Sequence, residues 1–127
     1  MEKVLNILLI DDNAVDRMSI SRRLRQSGYE YKLFETGSPV EGLEIARDQN
    51  IDCVFLDFHM PELDGPNWVT QARPSLAGNT KIIVMTNMPE EHVQAKFKGI
   101  KVDGVFQKSS LVKPTAMQEI LQFLFGI

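Results

Sequence analysis

The chain has 127 residues, enough to bury one core but too few for a second, so a single domain over 1–127 is expected. Its 43% hydrophobic and 24% charged residues, with no low-complexity tract or internal repeat, argue against disorder and against a solenoid. A formal net charge of -3, with bases scattered among acids, offers no positive field to a nucleic-acid backbone, and no apolar run is long enough to cross a membrane.

The run VLNILLI (4–10) is almost continuously apolar, the pattern of a strand buried on both faces, and Met1 to Asn6 lacks the basic start and long apolar core of a signal peptide. A helix over about 13–27 follows, with Asp12 or Asn13 available as its cap and Gly28 as its C-terminal signal. Arg22, Arg23 and Arg25 on that helix read as a solvated face. YEYKLFE (29–35) is more polar and alternates, as a strand near a sheet edge does. Ser38-Pro39-Val40-Glu41 combines a capping serine, proline in the first turn and glutamate three residues after the cap, which starts a helix over 38–49.

CVFL (53–56) is a second buried strand. Its Cys53 is the only cysteine, so no intramolecular disulfide is possible; a small buried hydrophobe in a reducing, cytoplasmic compartment is expected. A helix over 65–73 starts at Pro66 and is cut short by Pro74, Gly78 and Asn79. KIIVM (81–85) and VF (105–106) complete the strands, with a helix over about 90–98 between them. In the last helix, about 114–125, Met117, Ile120, Leu121 and Leu124 form one apolar stripe. Strand and helix alternate five times, which implies an α/β protein: an open, doubly wound parallel sheet with helices on both faces.

In such a sheet the strand carboxyl ends share one edge, where ligands bind. The first strand ends in Asp11-Asp12, the third in Asp57, the fourth in Thr86 and the fifth in Lys108. Each has a plainer use: Asp12 as a helix cap, Thr86 as a turn residue, Lys108 as a solvated charge. Together they bring three carboxylates and one ammonium to one place. Packed carboxylates repel one another unless a cation compensates, and all-oxygen ligands favour a hard one, so Mg²⁺ is the expected cofactor. The chemistry this set can carry is phosphoryl acceptance, with Asp57 as nucleophile and Thr86 and Lys108 holding the product.

These residues, with MPELDG (60–65) close behind Asp57, resemble the receiver domain of two-component response regulators (CheY-like) over essentially the whole chain. The resemblance implies a (βα)5 sheet in the flavodoxin-like order 2-1-3-4-5. It implies that Asp57 accepts a phosphoryl group from a sensor histidine kinase or a histidine phosphotransfer protein. Asp12, Asp57 and the backbone carbonyl of His59 would bind Mg²⁺ directly, with Asp11 acting mainly through water. It also implies signalling through the fourth helix, fifth strand and fifth helix, roughly residues 88 to 125, which would meet a downstream protein or a second copy of the chain.

Three positions depart from the family pattern. Val105 stands where a switching Tyr or Phe is usual, with Phe106 one place later; Ser109 replaces the proline that normally follows the lysine, often after a cis peptide; Asn87 replaces a small residue. A non-proline cis bond costs roughly 3 kcal/mol, so a trans Lys108–Ser109 bond is expected. His59 and Met88 hold the two variable positions that tune phosphate loss in this family. The leading reading is a phosphoacceptor regulator that is not an enzyme acting on other substrates. The alternatives are a receiver-like interaction domain that works without phosphorylation and, more remotely, a hydrolase with an aspartyl nucleophile or a flavodoxin-like cofactor binder.

Overall fold

The computed structural model describes residues 3–126. Five parallel strands, β1 (Leu5–Ile10), β2 (Tyr31–Thr36), β3 (Cys53–Asp57), β4 (Lys81–Thr86) and β5 (Gly104–Gln107), form one sheet in the order β2-β1-β3-β4-β5. The connections carry α1 (Ala14–Arg25), α2 (Pro39–Asp48), α3 (Gly65–Ala72) and α4 (Glu90–Lys96), and beyond β5 lie α5 (Lys108–Leu111) and α6 (Ala116–Phe125). The doubly wound class and strand order match the expectation.

The two faces of the sheet carry separate cores, as the period of 2 in a strand requires. Leu8, Ile10, Val54, Leu56, Ile82 and Val84 point toward α2, α3 and α4, where Ala46, Trp68, Val69, Val93 and Phe97 cover them. Leu5, Ile7, Leu9, Cys53, Phe55, Ile83 and Met85 point the other way, under Ile20 and Leu24 of α1, Leu111 of α5, and Met117 and Leu121 of α6. Every residue of β3 is buried, as befits the central strand, whereas β2, at the edge, is mostly only partly buried, with Lys32 and Glu35 exposed. Each fully buried Leu, Ile or Phe contributes about 1.5–3 kcal/mol, which makes the two layers the main support of the fold.

The helix starts follow the local chemistry. Asn13, and not Asp12, caps α1 by accepting from the Asp16 N–H at 3.0 Å, and Asp64 caps α3 by accepting from the Asn67 N–H at 2.9 Å. Ser38 caps α2 as expected, its hydroxyl accepting from the Glu41 N–H at 3.1 Å. Its own N–H donates to the Thr36 hydroxyl at 3.0 Å. Gly28, past the end of α1, adopts φ +86, the left-handed conformation that glycine allows without penalty.

Two local expectations are corrected and one is met. The third helix stops at Ala72, and a 3-10 turn, Arg73–Ser75, carries the chain through Pro74. The segment after β5 folds into the short helix α5 at Lys108, which makes the last helix the sixth and starts it at Ala116. No cis peptide occurs among the described residues, so the Lys108–Ser109 bond is trans, and Ser109 leaves helical backbone open to the residue before it, which proline disfavours.

Gly42 sits in α2 where the helix meets β1 and α3. A Cβ there would lie 2.5 Å from Ile10 Cδ1 and 3.3 Å from Trp68 Nε1. Helix propensity alone would make Gly42→Ala stabilising by about 1 kcal/mol, while overpacking costs about 1–3 kcal/mol, and both neighbours are fully buried. The expected outcome is a net loss, read as a lower urea midpoint at unchanged m-value; a higher midpoint would show that the Ile10 side chain yields freely.

Candidate functional site

Register alone brings the strand-end residues together. Ile10 pairs with Leu56, so Asp11 and Asp57 follow on adjacent strands; Asp57 pairs with Met85, one residue before Thr86; Thr86 pairs with Gln107, one residue before Lys108. Asp11, Asp57, Thr86 and Lys108 are all buried, at 0%, 5%, 2% and 8% exposure, and Asp12 is exposed at the rim. One carboxylate oxygen from each of Asp11, Asp12 and Asp57 lies within 4.8 Å of the others, a spacing that one cation could bridge.

The centre of the site is the Lys108 ammonium. Its Nζ lies 2.8 Å from Asp11 Oδ2, 2.8 Å from Asp16 Oδ2 and 3.5 Å from Asp57 Oδ1. Asp11 Oδ1 accepts from the Asn13 N–H at 2.9 Å, while the buried Oδ2, despite its ion pair, accepts no aligned hydrogen bond among the described residues. Such an under-used buried carboxylate oxygen beside two other acids suits a hard cation with oxygen ligands, so the donor set fits Mg²⁺. Arg17 ties α1 to the end of β1, donating from Nη1 to the Asp11 carbonyl at 2.6 Å.

One cation among several anions makes the electrostatics lopsided. Burial and then the Asp11 charge push the Asp57 carboxyl up to about 7, against the downward pull of Lys108 and of a hydrogen bond from the His59 backbone. Burial would push Lys108 down, but its close contacts with Asp11 and Asp16 and the Asp57 and Asp11 charges outweigh it and raise the ammonium's pKa. The lysine gains from every carboxylate around it, whereas the pull of Lys108 and the His59 N–H on Asp57 is outweighed by burial and the repulsion of Asp11.

The remaining predicted residues divide. The Thr86 hydroxyl accepts from the Met88 N–H at 2.9 Å, so it forms the turn as well as facing the strand ends. His59, Asn87 and Met88 are exposed around the site. After Asp57 the loop is closed by the Gly65 N–H donating to the Phe58 carbonyl at 3.0 Å and anchored by buried Met60. Val105 and Phe106 point to opposite faces: Val105 is buried with Val93 and Phe97 under α4, and Phe106 lines a groove with Ile83, Ile120 and Leu124 beside α6. The structure adds Asp16, which the strand-end reasoning passed over because it sits on a helix. Its signal was its place in the first turn of α1, three residues after the Asn13 cap and four after Asp12.

An aspartate whose folded pKa is about 7 holds a proton that the unfolded chain, at about 4, has already released. Its contribution to stability is therefore full below pH 4 and is lost as pH rises toward 7. In EDTA, Asp57→Asn is expected to raise the thermal midpoint at pH 8, and the gain should close as the pH is lowered toward 4. A gain that does not depend on pH would mean that the Asp57 carboxyl is not raised.

Comparison with known proteins gives a consistent result. The family model described as the response regulator receiver domain matches residues 7–124. Response regulator MprA of Mycobacterium sp. (strain KMS) is 32% identical over 117 residues, covering 92% of this chain and 47% of that protein; the chain thus spans about half the length of the curated relatives it matches. Among solved structures, the receiver domain of sensor histidine kinase PA1611 from Pseudomonas aeruginosa PAO1, with a magnesium ion coordinated in its active site cleft, superposes with TM-score 0.83 at 25% identity, covering 98% of this chain and 100% of that one. The receiver domain of AraT, a response regulator from Geobacillus stearothermophilus, gives TM-score 0.80 at 27% identity, covering 96% and 93%. With the fold, the strand-end residues and the family model in agreement over nearly its whole length, the chain belongs to the response regulator receiver domain family.

Proposed function

We propose that the chain is a phosphoacceptor signalling module in a two-component pathway, taking a phosphoryl group on Asp57 from a histidine kinase or a histidine phosphotransfer protein. The observation that carries this reading is the buried Asp57 carboxylate at the end of β3, with two further carboxylates and the Lys108 ammonium gathered on the same edge. In this reading the P–N bond of a phosphohistidine breaks as an Asp57 oxygen bonds to phosphorus, and the imidazole keeps the electron pair. Lys108 and the Thr86 hydroxyl hold the oxygens of the new acyl phosphate. Asp12, Asp57 and the His59 backbone carbonyl would hold Mg²⁺, with Asp11 acting mainly through water, and the ion would supply charge neutralisation on the transferring group. The chain changes only its own phosphorylation state, in a reducing, cytoplasmic setting, with no role in contacting nucleic acid or membrane.

The output face in this reading is α4, β5 and α6, offered to a downstream protein or a second copy. A second reading, an interaction domain that works without phosphorylation, is favoured by the fixed burial of Val105 where an aromatic side chain would swing. Phosphorylation tests both. Intact mass after incubation with acetyl phosphate and Mg²⁺ should show one phosphoryl adduct in the wild type and none in Asp57→Asn. No adduct, together with no binding of beryllofluoride, would favour the second reading. Asp12→Ala should weaken Mg²⁺ binding at least about tenfold by calorimetric titration, the scale of one lost charged ligand; unchanged affinity would place the metal elsewhere.

A further inference from the structure

Asp16 is outside the acidic triad, yet it holds Lys108 as closely as any residue does. A lysine ammonium has three N–H donors. Asp16 Oδ2 accepts one of them in a hydrogen bond at 2.8 Å, Asp11 Oδ2 is held at 2.8 Å as an ion pair, and Asp57 Oδ1 lies at the longer distance of 3.5 Å. The two close partners differ in position. Asp11 is fully buried on the inner side of the ammonium, while the Asp16 side chain is 31% exposed on its outer side.

The backbone explains why an outer partner matters here. With Ser109 after it, Lys108 is the first residue of α5, so its stem leaves a helical turn and its head is fixed only by what it meets. Asp16 is itself fixed, because its N–H is bound by the Asn13 cap and α1 is anchored by buried Ile20 and Leu24. Without Asp16, the outer restraint on the ammonium is gone, and the next carboxylate beyond Asp11 within its reach is Asp57, at 3.5 Å. A direct pair would occupy the carboxylate that has to attack phosphorus.

We propose that Asp16 is a positioning residue that holds the Lys108 ammonium back from Asp57, keeping the acceptor carboxylate open and one N–H directed to where a phosphoryl oxygen would arrive. The inference rests on Asp57 being the phosphoacceptor, and the test separates the two. Crystal structures of the wild type and Asp16→Ala without metal read the geometry: in the variant, Lys108 Nζ should close to hydrogen-bond distance, about 2.8 Å, of Asp57 Oδ1. An unmoved Nζ overturns the inference whatever the phosphorylation result. Rates of adduct formation from acetyl phosphate and Mg²⁺ read the consequence. Asp16→Ala should be roughly tenfold slower at saturating donor, the scale of one charge-assisted hydrogen bond, with Asp16→Asn between it and the wild type. Combining Asp16→Ala with Lys108→Ala should give no loss beyond Lys108→Ala alone. Equal rates for Asp16→Ala and wild type, or additive losses in the double variant, would overturn it. Failure of the wild type to form any adduct would instead overturn the phosphoacceptor reading, while the Nζ position would still decide whether Asp16 holds the lysine.

Discussion

The carboxyl edge of the sheet depends on one ammonium group. Asp11, Asp16 and Asp57 all lie within 3.5 Å of Lys108 Nζ, and a buried arrangement of that kind is tolerated only while the opposite charge stays in place. Each member reaches the edge from a different element: β1, α1, β3 and the junction of β5 with α5. The tertiary fold is therefore what assembles the charge set, and the charge set is what would fall apart if any of these elements shifted. The excess of negative charge that remains also explains why the same edge suits a divalent cation.

Much of this arrangement is legible in the chain because burial on both faces writes a clear signal. VLNILLI, CVFL and KIIVM can only be central strands, and once the strands are placed, the residues that end them must share an edge. Ser38-Pro39-Val40-Glu41 is equally plain because a capping serine and a first-turn proline act locally. What escapes is what depends on packing between elements. KSSL has neither length nor apolar period, so nothing in it announces a helix, and the turn exists because Leu111 is buried against the α1 side of the sheet. Asp16 looks like an ordinary first-turn acid until Lys108 arrives from 92 residues away. Val105 and Phe106 are neighbours in sequence and belong to different cores, a division that only the strand pleat decides.

Between the site and α4 runs a short polar path. The Thr86 hydroxyl holds the Met88 N–H, the Gln107 side chain donates to the Met88 carbonyl at 3.1 Å, and the Gln107 N–H donates to the Glu90 carboxylate at 3.1 Å. Thr86 cannot turn its oxygen elsewhere without releasing Met88, and Met88 shares Gln107 with the first turn of α4. Strand ends and helix start are thus joined by directional bonds, which respond to small displacements more sharply than apolar packing does.

Aspartates also occupy the opposite edge of the sheet, where strands begin. Asp52 accepts from the Asn6 N–H at 2.9 Å and Asp103 from the Ile82 N–H at 2.8 Å, each satisfying a backbone donor beside the start of its own strand. Asp52 also pairs with the Lys3 ammonium at 2.9 Å, but among the described residues no cluster of three carboxylates forms there. The two rims thus impose different standards of replacement. At the amino rim an asparagine keeps the backbone acceptor and loses only a half-exposed ion pair, while at the carboxyl rim the same exchange keeps the shape and removes a buried charge that faces Lys108. A parallel sheet built this way separates acids that serve the backbone from acids that crowd one ammonium by nothing more than the direction in which the strands run.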